Sequence, residues 1–330
     1  MKKKLLALTT ALTLTLALAA CGAKPAAPAA PADTADTAQP FHIGIIQLTE
    51  HVSLDAACKG FLEGLTEAGL VEGTDYVIDM NNAQGEQALC GTIATKLVND
   101  KVDLILAIAT PAAQAAANAT TEIPILVTAV TDPAASGLVD SNENPGRNVS
   151  GTSDMNPVAD QIDLLLQLRP DAKSIGVMYC SSEDNSALQV KVAKDALEAK
   201  GLTVTEFTAA DSSEIQSVAQ SAVGVVDAMY MPTDNLMADT ITAISSILTP
   251  AGIPIVPGAS GMCDDGGTAT YGIDYEQLGR QTATQAVELL KNKADIKTMP
   301  IQFYAGDLPL TVNQANLDAM GITLPADLKK

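Results

Sequence analysis

From residue 41 onward the chain alternates short apolar runs with amphipathic stretches. SIGVMY (174–179) has the length and composition of a buried strand, and VKVAKDALEAKGL (190–202) follows the 3.6-residue spacing of a helix that ends at Gly201. Between them lie six polar residues, SSEDNS (181–186), more than a strand-to-helix turn needs for one capping side chain. Further strands are read at LILAIA (104–109), ILVTAV (125–130) and AMYM (228–231), with a long helix from Tyr275 to about Lys291.

The same pattern occurs twice. IGIIQLTEHVSLDAACKGFLEGLTEAGL from Ile43 aligns without a gap on IGVMYCSSEDNSALQVKVAKDALEAKGL from Ile175, a shift of 132 positions (175 − 43). Gly44 meets Gly176, Leu65 meets Leu197, and Gly69-Leu70 meets Gly201-Leu202. Weaker matches continue the register, and each half closes on a short strand and a Gly turn, NVSGTSD (148–154) and ATYGIDY (269–275). Strand and helix alternating in each half predict an α/β protein of two similar Rossmann-like lobes with parallel sheets, joined by a multi-strand hinge. The expected first lobe comprises residues 41–153 plus about 276–299, and the second 154–275 plus about 300–330.

In open parallel sheets ligands bind beyond the carboxyl ends of the strands. The residues there are polar in both halves: Gln47 to Asp55, Thr110-Pro111-Ala112, Thr131-Asp132 and Thr152 to Asp154 in the first, and SSEDNS, Thr233 to Asn235, Gly258 to Met262 and Gly272 to Tyr275 in the second. Thr110 as N-cap with Pro111 in the first turn predicts a helix whose free N–H groups suit a carboxylate. Asp274, with Asp234 as second choice, is the expected receiver of an ammonium group. The two together would clamp a zwitterion. Asn185 and Ser186 are expected to face the ligand or cap their helix, with Glu183 and Asp184 at the rim.

The N-terminus changes the setting. MKKKLLALTTALTLTLALAAC combines lysines, an apolar core and Leu-Ala-Ala-Cys, which predicts a signal peptide over 1–20 and lipidation of Cys21. The Pro- and Ala-rich segment that follows reads as a flexible tether, 21–40. The protein is therefore expected outside the cytoplasm, anchored to the cell membrane by lipid.

Composition excludes several functions. A net charge of −20 disfavours nucleic acid as a partner. Aromatic residues make up 3% of the chain and Trp is absent, which disfavours a sugar ligand stacked on rings. With two histidines and no C-x-x-C, no metal is expected, and no cofactor. Nucleotide-loop and hydrolase motifs are absent, and His51, Ser53 and Asp55 lie too close in sequence for a catalytic relay, so no enzyme is predicted. Besides Cys21 there remain Cys58, Cys90, Cys180 and Cys263, which permit three disulfide pairings or four buried thiols.

QLTEHVSLDAACKGFLEGL, NAQGE (82–86 region), AIATPAAQA, VTAVTDPAASGLV, SSEDNS, PTDN and ATYGIDYEQLGRQTA together resemble the ABC-transporter substrate-binding lipoproteins that bind tryptophan and related aromatic amino acids. The resemblance spans nearly all of residues 41–328. It implies the type I periplasmic-binding-protein fold, a monomer that encloses an amino acid between its lobes, and delivery to an ABC permease driven by a cytoplasmic ATPase. By family position Gln47, His51, Thr110, Pro111, Ala112, Thr131, Asp132, Ser182, Asn185, Ser186, Asp234, Asn235 and Asp274 surround the ligand. Val52 stands where relatives often carry Pro, and the cleft-edge positions of Cys180 and Cys263 make a bridge between them conceivable. A branched-chain amino acid or nucleoside ligand, or a sensor subunit without transport, are the alternatives.

Overall fold

The computed structural model describes residues 39–328. The predicted signal peptide, Cys21 and nearly all of the tether lie outside the described residues. The first lobe begins with β1 (Phe41–Gln47), α1 (Val52–Glu67), β2 (Tyr76–Asn82), α2 (Gln87–Asn99), β3 (Leu104–Ile108), α3 (Thr110–Ala119), β4 (Ile125–Val130) and β5 (Val149–Ser153). Strands β3, β4 and β5 are buried along their whole length, which is why they read as continuous apolar or small-residue runs rather than alternating ones.

The second lobe contains α4 (Val158–Leu168), β6 (Ser174–Cys180), α5 (Asp184–Ala199), β7 (Thr203–Ala209), α6 (Ile215–Ala222), β8 (Ala228–Met231), α7 (Asn235–Leu248), β9 (Ile255–Pro257), α8 (Ser260–Asp265) and β10 (Ala269–Tyr271). Then follow α9 (Tyr275–Leu290), β11 (Gln302–Phe303), β12 (Leu310–Val312) and α10 (Gln314–Met320). The strand orders are β2-β1-β3-β4-β5-β11 and β7-β6-β8-β9, the same winding in both lobes, with all pairs parallel. Helices α1 and α5 start and end 132 positions apart, so the sequence repeat is a structural repeat. The second lobe departs at its close: β10 leaves the four-stranded sheet and pairs antiparallel with β12.

Among the described residues the chain crosses between the lobes three times, at 154–157, 272–274 and 304–309. After the second crossing α9 packs along α1 so closely that a Cβ on Gly60 would lie 1.9 Å from the Glu276 carbonyl oxygen, and one on Gly279 would lie 2.1 Å from that of Ala57. Those glycines let a helix from late in the chain complete the first lobe, and Lys59 and Arg280 both pair with Glu276 at 2.7 Å along the seam. Strand β11 then pairs with Thr152 and Ser153 of β5. This extends the first lobe's share to Phe303, a few residues beyond the boundary expected near 299.

The six polar residues after β6 resolve into a short turn and a helix start. Helix α5 begins at Asp184, so Asn185 and Ser186 are its first turn and Glu183 is its N-cap residue. No described helix is long and apolar enough to cross a membrane.

Candidate functional site

The carboxyl ends of both sheets face each other across a cleft whose inner part is a cavity with contributions from both lobes. From the first lobe come His51, Ser53 and Leu54 at the start of α1, Ala129 and Thr131 at the end of β4, and Asp154 just after β5. From the second come Asn185, Thr233, Asp234 and Asn235, with Ala238, Ala259 and Met262 as apolar wall, and Tyr275 opens α9. The repeat is visible here: Ser53 and Asn185, 132 positions apart, line the same cavity, and His51 and Glu183, also 132 apart, are the N-cap residues of α1 and α5.

His51 and Glu183 are joined through Asn235. The imidazole Nε2 lies 3.3 Å from Asn235 Oδ1, and Asn235 Nδ2 donates to Glu183 Oε2 at 2.6 Å. An amide oxygen only accepts, so His51 carries its proton on Nε2. Burial pushes the His51 pKa down, against the hydrogen bond His51 donates to Asn235, which supports the charged form, and the ring is neutral near pH 7.

Three buried carboxylates define the electrostatics. Burial pushes Asp154 up to about 6, opposed first by the hydrogen bond from the Tyr275 hydroxyl. Glu183 is pushed up to about 8 by burial and then by the charge of Asp234, despite the donors of Asn235 and Asn185. Asp234 is raised by burial as well, although it accepts from the backbone N–H of Cys180 at 2.6 Å and of Met237 at 2.8 Å. No Lys or Arg lines the inner cavity or the chamber outside it. Glu183 and Asp234 spend their oxygens on the N-terminus of α7 and on neighbouring donors. Asp154 does not: Oδ2 accepts from the Tyr275 hydroxyl at 2.8 Å, and Oδ1 is buried without a partner, as is Asn185 Oδ1 on the opposite wall.

Backbone strain marks the same edge. Ala109, after β3, and Ala129, in β4, hold φ of 83° and 54°, a region that costs a residue with a Cβ roughly 1 kcal/mol or more. Strain of this kind collects at functional sites.

The lobes are closed. Gln189 Nε2 donates to Thr131 Oγ1 at 3.2 Å, Gln114 Nε2 to Asp184 Oδ2 at 2.9 Å, and Gln87 Nε2 to the Ser182 carbonyl at 3.0 Å, each across the cleft. The inner cavity is consequently tight, with about 20 Å³ for the centres of water-sized molecules against about 360 Å³ in the outer chamber, which Asn235 also lines. Gln114→Ala should lower ligand affinity about two- to fivefold, the worth of one exposed closing hydrogen bond, measured by titration calorimetry.

Of the predicted site residues, His51, Thr131, Asn185, Asp234 and Asn235 meet in the inner cavity, and Ser182 lines the outer chamber. Others are placed elsewhere. Asp274 is exposed, and its carboxylate caps α9 by accepting from the N–H groups of Glu276 and Gln277, which commits it away from the cleft. Gln47 donates to Thr49 O and Asp55 Oδ1 and faces a separate first-lobe depression. Asp132 closes its own turn through Ala134 and Ala135 N–H. Thr110, Pro111 and Ala112 are buried but line neither chamber; Ala109 rather than Thr110 is the N-cap residue of α3, and Thr110 Oγ1 is left without a partner. Ser186 is buried under Asn185, whose Nδ2 donates to its hydroxyl. Glu183 is only 4% exposed, not at the rim, because the N-terminus of α7 draws it inward; Asp184 is exposed.

Cys58, Cys90, Cys180 and Cys263 are four buried free thiols. The bridge between Cys180 and Cys263 is not formed: one sulfur rests against Ser182 Oγ, the other donates to the Thr311 carbonyl. Burial raises the Cys263 thiol to about 12 and those of Cys58 and Cys90 to about 11, so none is primed as a nucleophile. Among the described residues no cluster of His, Cys, Asp and Glu could hold a metal ion.

Two lobes closed over a cavity lined by polar groups from both are the form of a binding protein. The family model described as ABC transporter substrate binding protein matches residues 42–330. The chain belongs to this family. This substrate-binding protein is 43% identical over 289 residues to the tyrosine-binding protein of Clostridioides difficile (strain R20291), across 88% of this chain and 80% of that one. Its fold, the type I periplasmic-binding-protein fold, matches an ABC domain in complex with L-Trp from Streptococcus pneumoniae, with a TM-score of 0.84 at 36% identity over 88% of this chain and 97% of that one. A ligand-free, open substrate-binding protein with adhesive properties from Clostridium difficile matches at 43% identity over 87% and 97%, yet with a TM-score of only 0.67. Better superposition on the less similar chain places the lobes of this substrate-binding protein in the closed arrangement. The family is one of extracytoplasmic, non-catalytic binding proteins.

Proposed function

We propose that the protein is a lipid-anchored extracytoplasmic receptor that closes on an aromatic amino acid and delivers it to an ABC permease coupled to a cytoplasmic ATPase. The observation that carries this reading is Asp154: a buried carboxylate with one unpartnered oxygen in a cavity that contains no Lys or Arg. A buried charge without a partner is costly, so the cavity favours a ligand that brings a cation, and an α-ammonium group fits that requirement. The first N–H groups of α1, at Ser53 and Leu54, have no side-chain cap and lie on the same wall, suited to the α-carboxylate. Leu54, Ala238, Ala259 and Met262 supply apolar surface for a ring, with the Met sulfur adding a favourable aromatic contact.

The names of the C. difficile and S. pneumoniae relatives support the same ligand class. Because the closed cavity is tight, binding requires the lobes to part first and close afterwards, and the ligand stabilises the closed state only as far as it touches both walls. Calorimetry should show binding of L-tyrosine, L-tryptophan or L-phenylalanine and none of the analogues that lack the α-amino group, such as 3-phenylpropionate. Binding of a nucleoside with no response to aromatic amino acids would overturn the reading.

A further inference from the structure

Asp154 is not an ordinary wall residue, because it sits on the hinge. It is the first residue of the first crossing segment, and its backbone N–H donates to the Val130 carbonyl at 3.1 Å, fixing it against the end of β4. Tyr275 is the residue that follows the second crossing, and its hydroxyl donates to Asp154 Oδ2 at 2.8 Å. Tyr304 opens the third crossing, and its N–H donates to the carbonyl of Ser153 at 3.2 Å. All three crossings therefore converge on Ser153 and Asp154, and a buried side-chain tie runs from Tyr275 to the cavity carboxylate. Tyr275 is 6% exposed and Asp154 3%, so this bond is shielded from solvent.

We propose that Tyr275 is the positioning residue of the binding site: by holding Asp154 Oδ2 it aims Oδ1 into the cavity and ties the first crossing to the second, so that ligand charge and hinge geometry are set by one hydrogen bond. The inference rests on Asp154 as the ammonium receiver. A phenol that donates to one carboxylate oxygen leaves the other as the stronger acceptor for a ligand, and stabilises the ionised form of the acid. Contact of the ammonium with Asp154 in turn keeps the carboxylate ionised, the form to which Tyr275 donates a charge-assisted bond, and the crossing segments are held in the closed geometry. Thr131 faces the same carboxylate from the end of β4; the other titratable side chains of the wall are His51 at the start of α1 and Asp234 before α7, with Glu183 behind Asn235.

The test is L-tyrosine affinity from pH 5 to 9 for the wild type, Tyr275→Phe and Asp154→Asn. Asp154→Asn examines the ammonium reading by itself and should lose at least a hundredfold. Tyr275→Phe keeps the ring and its packing but removes the donor. It should lose about tenfold at pH 7 and regain part of that loss by pH 9, because the acid limb, near pH 6 in the wild type, moves to higher pH once the ionised carboxylate loses its donor. Glu183 and His51 are the same in both proteins, so the difference between their profiles belongs to Asp154. Unchanged affinity of Tyr275→Phe, or a loss by one constant factor at every pH, overturns the positioning role while Asp154→Asn still upholds the reading. Wild-type affinity in Asp154→Asn overturns both.

Discussion

Gly261→Val should lower amino acid affinity about ten- to a hundredfold while leaving the unliganded protein as stable as the wild type. Gly261 lies in the first turn of α8 in the second lobe, and an ideal Cβ there would stand 2.3 Å from Cγ1 of Val52 and 3.2 Å from Oγ of Ser53, both at the start of α1 in the first lobe. The clash exists only when the lobes meet. A branched side chain at this position therefore penalises the closed state by about 1–3 kcal/mol, the usual cost of overpacking, and leaves the open state untouched. Affinity falls by the same factor, since the ligand must then supply the difference. Two controls separate this from a folding defect: the melting temperature without ligand should match the wild type, and Val52→Ala in the same chain should restore part of the affinity by removing the atoms that clash. A large drop in unliganded melting temperature would place the effect inside the second lobe instead.

Much of the fold was legible because the repeat is written in apolar spacing. Ile43 and Ile175, or Leu65 and Leu197, occupy equivalent buried positions, and burial is what apolar periodicity records. The site was legible in outline for the same reason: once strand ends are known, the residues beyond them are known. What the pattern does not encode is how each polar side chain spends its hydrogen bonds. Asp274 and Asp154 both follow the last strand of a half, yet the first caps its own helix and the second keeps an oxygen free. That difference depends on Tyr275, which reaches Asp154 across 121 positions of sequence. Glu183 was misplaced for a similar reason, because the helix N-terminus that draws it inward belongs to α7, more than fifty residues later. The usable signal for Asp154 was its place after Thr152-Ser153 at the sheet edge.

Between pH 6.5 and 8.5 the unliganded protein should lose about 2 kcal/mol of stability, seen as a drop of several degrees in melting temperature. Glu183 sets the sign. Its folded pKa, about 8, lies above the ordinary 4.5, so the folded state binds a proton that the unfolded chain has already released, and that advantage disappears as pH rises through 8. Asp154, at about 6, contributes in the same direction over a lower window, and Asp234, also raised, adds to it. His51 works oppositely: its folded pKa is depressed below 6.5, so its contribution is present above 6.5 and lost on acidification, which is why the comparison begins there. Glu183→Gln, which keeps one of the two acceptor oxygens that face the α7 N–H groups and no longer titrates, should flatten the slope. A saturating amino acid should shift the whole curve upward and reduce its slope, because an ammonium beside Asp154 stabilises charge in the cavity that protonation otherwise removes. A melting temperature independent of pH over this range would show that Glu183 is ionised in the folded protein, and that the second lobe holds a buried anion next to Asp234 with hydrogen bonds alone.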